Sequence, residues 1–208
     1  MIGVVDYRAG NAPSVMYALE RIGVAARLVS DPSELGAVDH IILPGVGAAR
    51  ATIDSLEASG LVAPLQRRVR DDRVPFLGIC IGLQVLFDHS DEGATDCLGW
   101  LPGTVRRFPP GDRVPQIGWN GVRFTRPHPV TDSLPEPAFC YFVNSFYAAP
   151  ASNEAVLGVT EYSVEFCSAV AHENVVATQF HAEKSGELGL ALLRNFASWE
   201  PAVEERRC

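Results

Sequence analysis

The first half of the chain alternates short apolar runs with segments whose apolar residues recur at helical spacing. Ile2 to Val5 is a run bounded by Asp6 and Gly10, which predicts a buried strand. Asn11 suits a helix cap, and Pro13 is tolerated in a first helical turn. Val15, Leu19 and Ile22 then share one helical face until Gly23 supplies a stop. Val24 to Val29 and His40 to Leu43 predict two more strands, the second broken by Pro44-Gly45-Val46-Gly47. Ile53 and Leu56 suit a helix, Leu61 to Val69 continues helically, and Val74 to Ile79 predicts a strand followed by helix from Gly82 to Phe87. Such alternation predicts a mostly parallel central sheet with helices on both faces.

The second half has a different rhythm. Thr104 to Phe108, Val114 to Ile117, Val122 to Phe124 and Phe139 to Val143 predict short strands. Val164 to Ala171 and Val175 to Phe180 predict a hairpin across Glu173-Asn174, and Leu188 to Phe196 a closing helix. The expected class is α/β with an antiparallel extension. One domain over residues 1–200 and a tail over 201–208 are expected.

Composition narrows the function. The 208 residues are 47% hydrophobic and 20% charged, a soluble globular balance that allows a sizeable core. No apolar run approaches the roughly 20 residues of a membrane helix. The start, Met1-Ile2-Gly3-Val4-Val5-Asp6, lacks the basic and long apolar stretches of a signal peptide, so a cytoplasmic location is expected. A net charge of −8 argues against a nucleic-acid binder. Cys80, Cys97, Cys140, Cys167 and Cys208 form no CxxC pair, so no metal site is expected.

Gly78-Ile79-Cys80-Ile81-Gly82 is the most informative stretch. It follows an apolar strand and precedes a helix, the setting of a nucleophile elbow with cysteine at the reactive position. Glycines on either side permit a close strand–helix approach. A helix N-terminus behind Cys80 favours the thiolate, and the Ile81 N–H points where an oxyanion forms. The bland alternative, a cysteine packed at a strand end, applies to the other four. A thiol nucleophile needs a proton partner. Among the histidines, His40, His89, His128 and His172 sit in structural or surface settings, whereas His181 follows the predicted strand ending at Phe180. Residues beyond parallel strand ends gather in a ligand crevice, and Glu183 is spaced to hold the His181 tautomer.

The elbow, the His181-Ala182-Glu183 pair and their order resemble the triad-type, class I glutamine amidotransferases, with a flavodoxin-like three-layer fold. Asp6-Tyr7 with Ala9-Gly10-Asn11, Leu43-Pro44-Gly45-Val46-Gly47-Ala48, Gly78 to Gln84, Gly118-Trp119-Asn120, Tyr141-Phe142-Val143 and Gln179 to Gly186 resemble the glutaminase subunits of imidazole glycerol phosphate synthase. This resemblance covers nearly the whole chain. It implies glutamine hydrolysis by Cys80, His181 and Glu183, without metal or organic cofactor, and ammonia transfer to a (β/α)8-barrel cyclase partner in histidine biosynthesis. It further implies an oxyanion hole at Val46, Gly47 and Ile81, and glutamine contacts at Gly45, Gln84, Glu92, Ser145 and Phe146. Asn11, Trp119, Asn120, Tyr141 and Lys184 are then the partner-facing residues.

The chain departs from that pattern where Arg8 replaces glycine, Gln116 and Asn144 replace histidines, Phe146 replaces tyrosine and Ala182 replaces proline. Alternatives are a paralogue feeding a different synthase, another Cys–His hydrolase, and a non-catalytic regulatory subunit.

Overall fold

The computed structural model describes residues 1–8 and 10–201. Ala9 and the tail from residue 202, with Cys208, lie outside the described residues. The first half comprises β1 (Ile2–Val5), α1 (Ala12–Arg21), β2 (Ala26–Val29), β3 (His40–Gly45), α2 (Ala49–Ala58), α3 (Val62–Gln66), β4 (Phe76–Cys80) and α4 (Ile81–Gln84). The second adds β5 (His89–Ser90), β6 (Thr95–Asp96), β7 (Gly103–Arg107), β8 (Gln116–Phe124) and β9 (Ala138–Asn144). It ends with β10 (Phe146–Pro150), β11 (Val156–Glu161), β12 (Glu165–His172), β13 (Val175–Thr178) and α5 (Gly186–Ser198).

The expected α/β class is found. Strands β2-β1-β3-β4-β13 run parallel in that spatial order. Every position of β1, β4 and β13 is buried, so both sheet faces are covered there. That is why these strands read as continuous apolar runs. The antiparallel part continues from β13 through β12, β10 and β7. The predicted hairpin forms, with His172 opposite Val175 and Glu173 at φ 52° in the turn.

The β8–β9 ribbon pairs without interruption from Gln116 opposite Asn144 to Val122 opposite Ala138. Its alternation sorts the side chains: Gln116, Phe142, Cys140 and Val122 point inward, while Ile117, Trp119, Phe139 and Val143 are exposed. The two strands predicted around Val114–Ile117 and Val122–Phe124 are therefore one. Gly118 and Gly121 interrupt the apolar pattern but not the ladder.

Other expectations need correction. The elbow helix stops at Gln84 rather than Phe87. Leu98 and Trp100 instead turn their N–H groups onto the carbonyls of Val85 and Leu86, drawing the chain into a tight loop. Asn11 occupies the position before α1 but its side chain does not cap the helix. Its amide is engaged elsewhere, at the functional site.

Candidate active site

Several chain segments meet at the carboxyl ends of β3, β4 and β13. They enclose a cavity of about 290 Å³ whose walls include Val46, Gly47, Cys80, Ile81, Gln84, Glu92, Ser145, Phe146, His181 and Lys184. Cys80 closes β4 with φ 57° and ψ −106°, a conformation that L side chains rarely adopt. The neighbouring glycines make this turn sterically feasible. A Cβ at Gly78 would lie 2.4 Å from the Gly82 carbonyl oxygen, and one at Gly82 would lie 2.0 Å from the Leu43 carbonyl oxygen. Gly45 has the same character, since a Cβ there would meet Ile81 Cβ at 2.8 Å. Gly45 thus packs behind the elbow rather than lining the cavity.

Ile81 opens α4, so its N–H has no preceding helical turn to bond. Val46 and Gly47 (φ 95°) form the facing wall. His181 follows β13, and its backbone N–H donates to the Tyr141 carbonyl at 2.9 Å. Its Nδ1 lies 2.8 Å from Glu183 Oε1, and the two side chains are only 3% and 1% exposed. Burial pulls the His181 pKa down, but Cys80 and Glu183, acting as acceptors and through their charges, outweigh it and push it up to about 9. The imidazolium therefore persists at neutral pH. Burial pushes Tyr7, behind the elbow, up to about 12, so its phenol stays neutral.

Asn11 was expected on the partner face, yet its Nδ2 donates to Glu183 Oε1 at 2.8 Å and its Oδ1 accepts from Ser14 Oγ at 2.7 Å. Glu183 is thus held from two sides. Lys184, also expected on the partner face, is a wall of the cavity. Trp119 is 57% exposed on the ribbon, Tyr141 is half-buried opposite it, and Asn120 Nδ2 donates to the Glu161 carbonyl at 2.8 Å. Glu92 Oε2 accepts the Ala49 N–H at the start of α2, at 2.9 Å, which fixes the carboxylate in the cavity wall.

Gln84 does more than line the cavity. Its Nε2 donates to the Phe146 carbonyl at 3.2 Å and to Gln179 Oε1 at 2.9 Å. Gln179, fully buried, directs its own Nε2 at Cys80 Sγ over 3.6 Å. Nothing in the local sequence assigns Gln179 a role. Its place between the end of β13 and His181 is the available signal.

The departures lie in distinct local settings. Arg8 has φ 68°, in the left-handed region that favours glycine, and its N–H donates to Asp6 Oδ1 at 3.0 Å. Ala182 begins a short 3-10 turn, a position that accommodates proline. Gln116 and Asn144 are register partners, both buried beside the cavity. Asn144 Nδ2 donates to the Phe146 carbonyl at 3.0 Å, while neither amide atom of Gln116 has a partner among the described residues.

The other histidines are engaged elsewhere: His40 Nε2 meets the Trp199 carbonyl at 2.9 Å and His89 Nδ1 meets Asp96 at 3.0 Å. Burial, then Arg126, lowers His128 to about 4. Cys97, Cys140 and Cys167 are pushed up by burial to about 11, 12 and 12. Those thiols are inert at neutral pH.

The chain is similar to known proteins along nearly its whole length. The family described as "Glutamine amidotransferase class-I" matches residues 4–198. The imidazole glycerol phosphate synthase subunit HisH of Dehalococcoides mccartyi (strain CBDB1) is 46% identical over 197 residues, covering 94% of this chain and 96% of that protein. The HisH subunit of Desulfitobacterium hafniense (strain DSM 10664 / DCB-2) is 44% identical over 200 residues, covering 96% and 94%. A crystal structure of a glutamine amidotransferase superposes with a TM-score of 0.75 at 21% identity, covering 94% of this chain and 96% of its own, which shows the shared fold. The chain belongs to the class-I glutamine amidotransferase family, in its branch of imidazole glycerol phosphate synthase HisH subunits.

Proposed function

We propose that this chain hydrolyses glutamine at Cys80 and delivers the ammonia to a (β/α)8-barrel cyclase subunit. The observation that carries the reading is the strained Cys80 elbow facing a buried His181–Glu183 pair across one cavity. The thiolate attacks the side-chain carbonyl of glutamine, and the N–H groups of Ile81, Val46 and Gly47 bind the oxyanion. Each such donor contributes about 3 kcal/mol. The His181 imidazolium protonates the departing nitrogen, releasing ammonia and leaving a γ-glutamyl thioester. His181 then takes a proton from water, whose oxygen attacks the thioester, freeing glutamate and restoring the thiolate. Glu92 and Lys184 carry the charges suited to the substrate's ammonium and carboxylate. The match over residues 4–198 supports one amidotransferase domain across residues 1–200.

Free ammonia in neutral water is protonated and loses its nucleophilicity, so a dry route to a second site serves the chemistry. The exposed apolar row of Ile117, Trp119, Phe139 and Val143 on the ribbon supports docking of the partner beside the cavity. There, ammonia enters the synthesis of imidazole glycerol phosphate and an aminoimidazole carboxamide ribotide. The free cysteines Cys80, Cys97, Cys140 and Cys167 suit a reducing cytoplasm.

Release of labelled ammonia from amide-labelled glutamine tests the chemistry: Cys80→Ala should abolish it, and release at the unaltered rate refutes the nucleophile. Stimulation by a histidine-pathway cyclase tests the partner. Full activity of the isolated chain, or activation by another synthase alone, contradicts it.

A further inference from the structure

The Cys80 sulfur has a neighbour outside the triad. Gln179 Nε2 stands 3.6 Å from Sγ, and Gln179 is fully buried, so its carboxamide has no solvent to satisfy it. A carboxamide can face a sulfur with either end, and the two ends act oppositely: N–H stabilises a thiolate, whereas C=O stabilises a thiol. The surroundings decide which end faces Cys80.

Gln179 Oε1 lies 2.9 Å from Gln84, and that Gln84 terminus also lies 3.2 Å from the Phe146 carbonyl. A backbone carbonyl can only accept. Gln84 must therefore present its NH2 to Phe146, and the same NH2 then faces Gln179. That leaves the Gln179 oxygen toward Gln84 and its nitrogen toward the sulfur. Reversing both carboxamides would set the Gln84 oxygen against the Phe146 carbonyl oxygen inside the protein. The Phe146 carbonyl also accepts Asn144 Nδ2 at 3.0 Å, which uses both lone pairs on donors. A rigid backbone group thus sets the polarity of two side chains in series.

We propose that Gln179 is a catalytic hydrogen-bond donor to the Cys80 thiolate, locked in its donating orientation by Gln84 and the Phe146 carbonyl. The inference rests on Cys80 being the nucleophile. Gln179 lies outside the cavity walls, so it reaches the sulfur from behind and leaves the glutamine site open. The Val143 carbonyl, the acceptor available to a protonated thiol, is farther away at 4.0 Å. Other charged or titratable groups also face the sulfur. They are His181, with Glu183 behind it; Tyr7, with Asp6 near it; and Glu92 and Lys184 across the cavity. The segment 143–146 contributes no titratable side chain.

The test is the pH dependence of Cys80 alkylation by iodoacetamide, read on the Cys80 peptide by mass spectrometry. Gln179→Met keeps the shape but removes the donor. Its alkylation midpoint should move up by about one pH unit, with reactivity below the midpoint falling about tenfold. Gln179→Glu, which sets a carboxylate against the sulfur, should move it further in the same direction. With the activating subunit present, kcat should fall while KM for glutamine stays constant.

A folded Gln179→Met variant with an unmoved midpoint overturns the proposal. If the variant fails to fold, the unaltered protein still decides. Its Gln179 side-chain N–H resonance should shift as Cys80 titrates and stay still in Cys80→Ser, and a resonance indifferent to Cys80 overturns the idea. Loss of γ-glutamyl labelling in Cys80→Ala, measured alongside, separates failure here from failure of the proposed hydrolysis.

Discussion

Gly82→Ala tests whether the elbow is built by close backbone contact. The added Cβ would lie 2.0 Å from the Leu43 carbonyl oxygen, inside the 3.0 Å that real Cβ atoms respect, so the elbow or β3 must retreat by at least 3.0 − 2.0 = 1.0 Å. No flexible side chain can yield, because the obstacle is backbone. Leu43 pairs with Gly78 across the β3–β4 ladder, and Gly78 itself lies against the Gly82 carbonyl. Movement of α4 is therefore the available response, and it carries the Ile81 N–H and Cys80 Sγ away from the other groups. Overpacking of this kind costs about 1–3 kcal/mol of stability. A misplacement near 1 Å costs on the order of 100-fold in rate. Thermal melting together with glutamate release, both with the proposed cyclase partner present, reads the two effects separately. Gly36→Ala serves as control, because nothing lies within 4 Å of its added Cβ. It should change stability by less than about 0.5 kcal/mol. Wild-type turnover and melting in Gly82→Ala would refute the steric account.

Asn11→Ala removes one of the two donors to Glu183 Oε1; kcat should fall about tenfold with KM unchanged, as for loss of one hydrogen bond to a charged group. An unaltered kcat would show that His181 alone holds the carboxylate. The His181 pKa is raised to about 9, so its stabilising contribution is complete below its unfolded value of about 6.5 and is lost as pH rises through 9. Urea unfolding across that window should show declining stability, and the same decline in His181→Asn would refute the assignment. His128, lowered to about 4, has the opposite sign: its contribution is present above about 6.5 and lost as pH falls toward 4. Replacing His128 with asparagine should flatten the acid-side loss. At neutral pH, alkylation should reach Cys80 before Cys97, Cys140 or Cys167, and peptide mapping showing the reverse order would count against the elbow.

Legibility in the sequence tracked how local each cause was. Strands β1, β3 and β4 were visible because burial on both faces demands an uninterrupted apolar run. The hairpin was visible because Glu173-Asn174 separates two such runs. Strands β10 and β11 were not read, since their neighbours determine them: β11 is bulged around Gly158, which breaks its alternation. β5 and β6 span two residues each and exist only through pairing. At the site, Cys80 was legible because its glycines flank it directly. Asn11 and Glu183 meet across 172 residues, and Gln179 reaches Cys80 across 99. No local pattern announces such contacts. Asn11 also shows one physical role displacing another, since a side chain engaged with Glu183 and Ser14 cannot cap its helix.

In the proposed reaction, glutamine passes through a covalent bond to one sulfur, that of Cys80. Rapid acid quenching of the enzyme during turnover, followed by peptide mass spectrometry, examines this directly. A γ-glutamyl group should appear on the Cys80 peptide, disappear in Cys80→Ala, and be absent from every other cysteine. Turnover that continues in Cys80→Ala, or an adduct carried by another residue, would contradict the account.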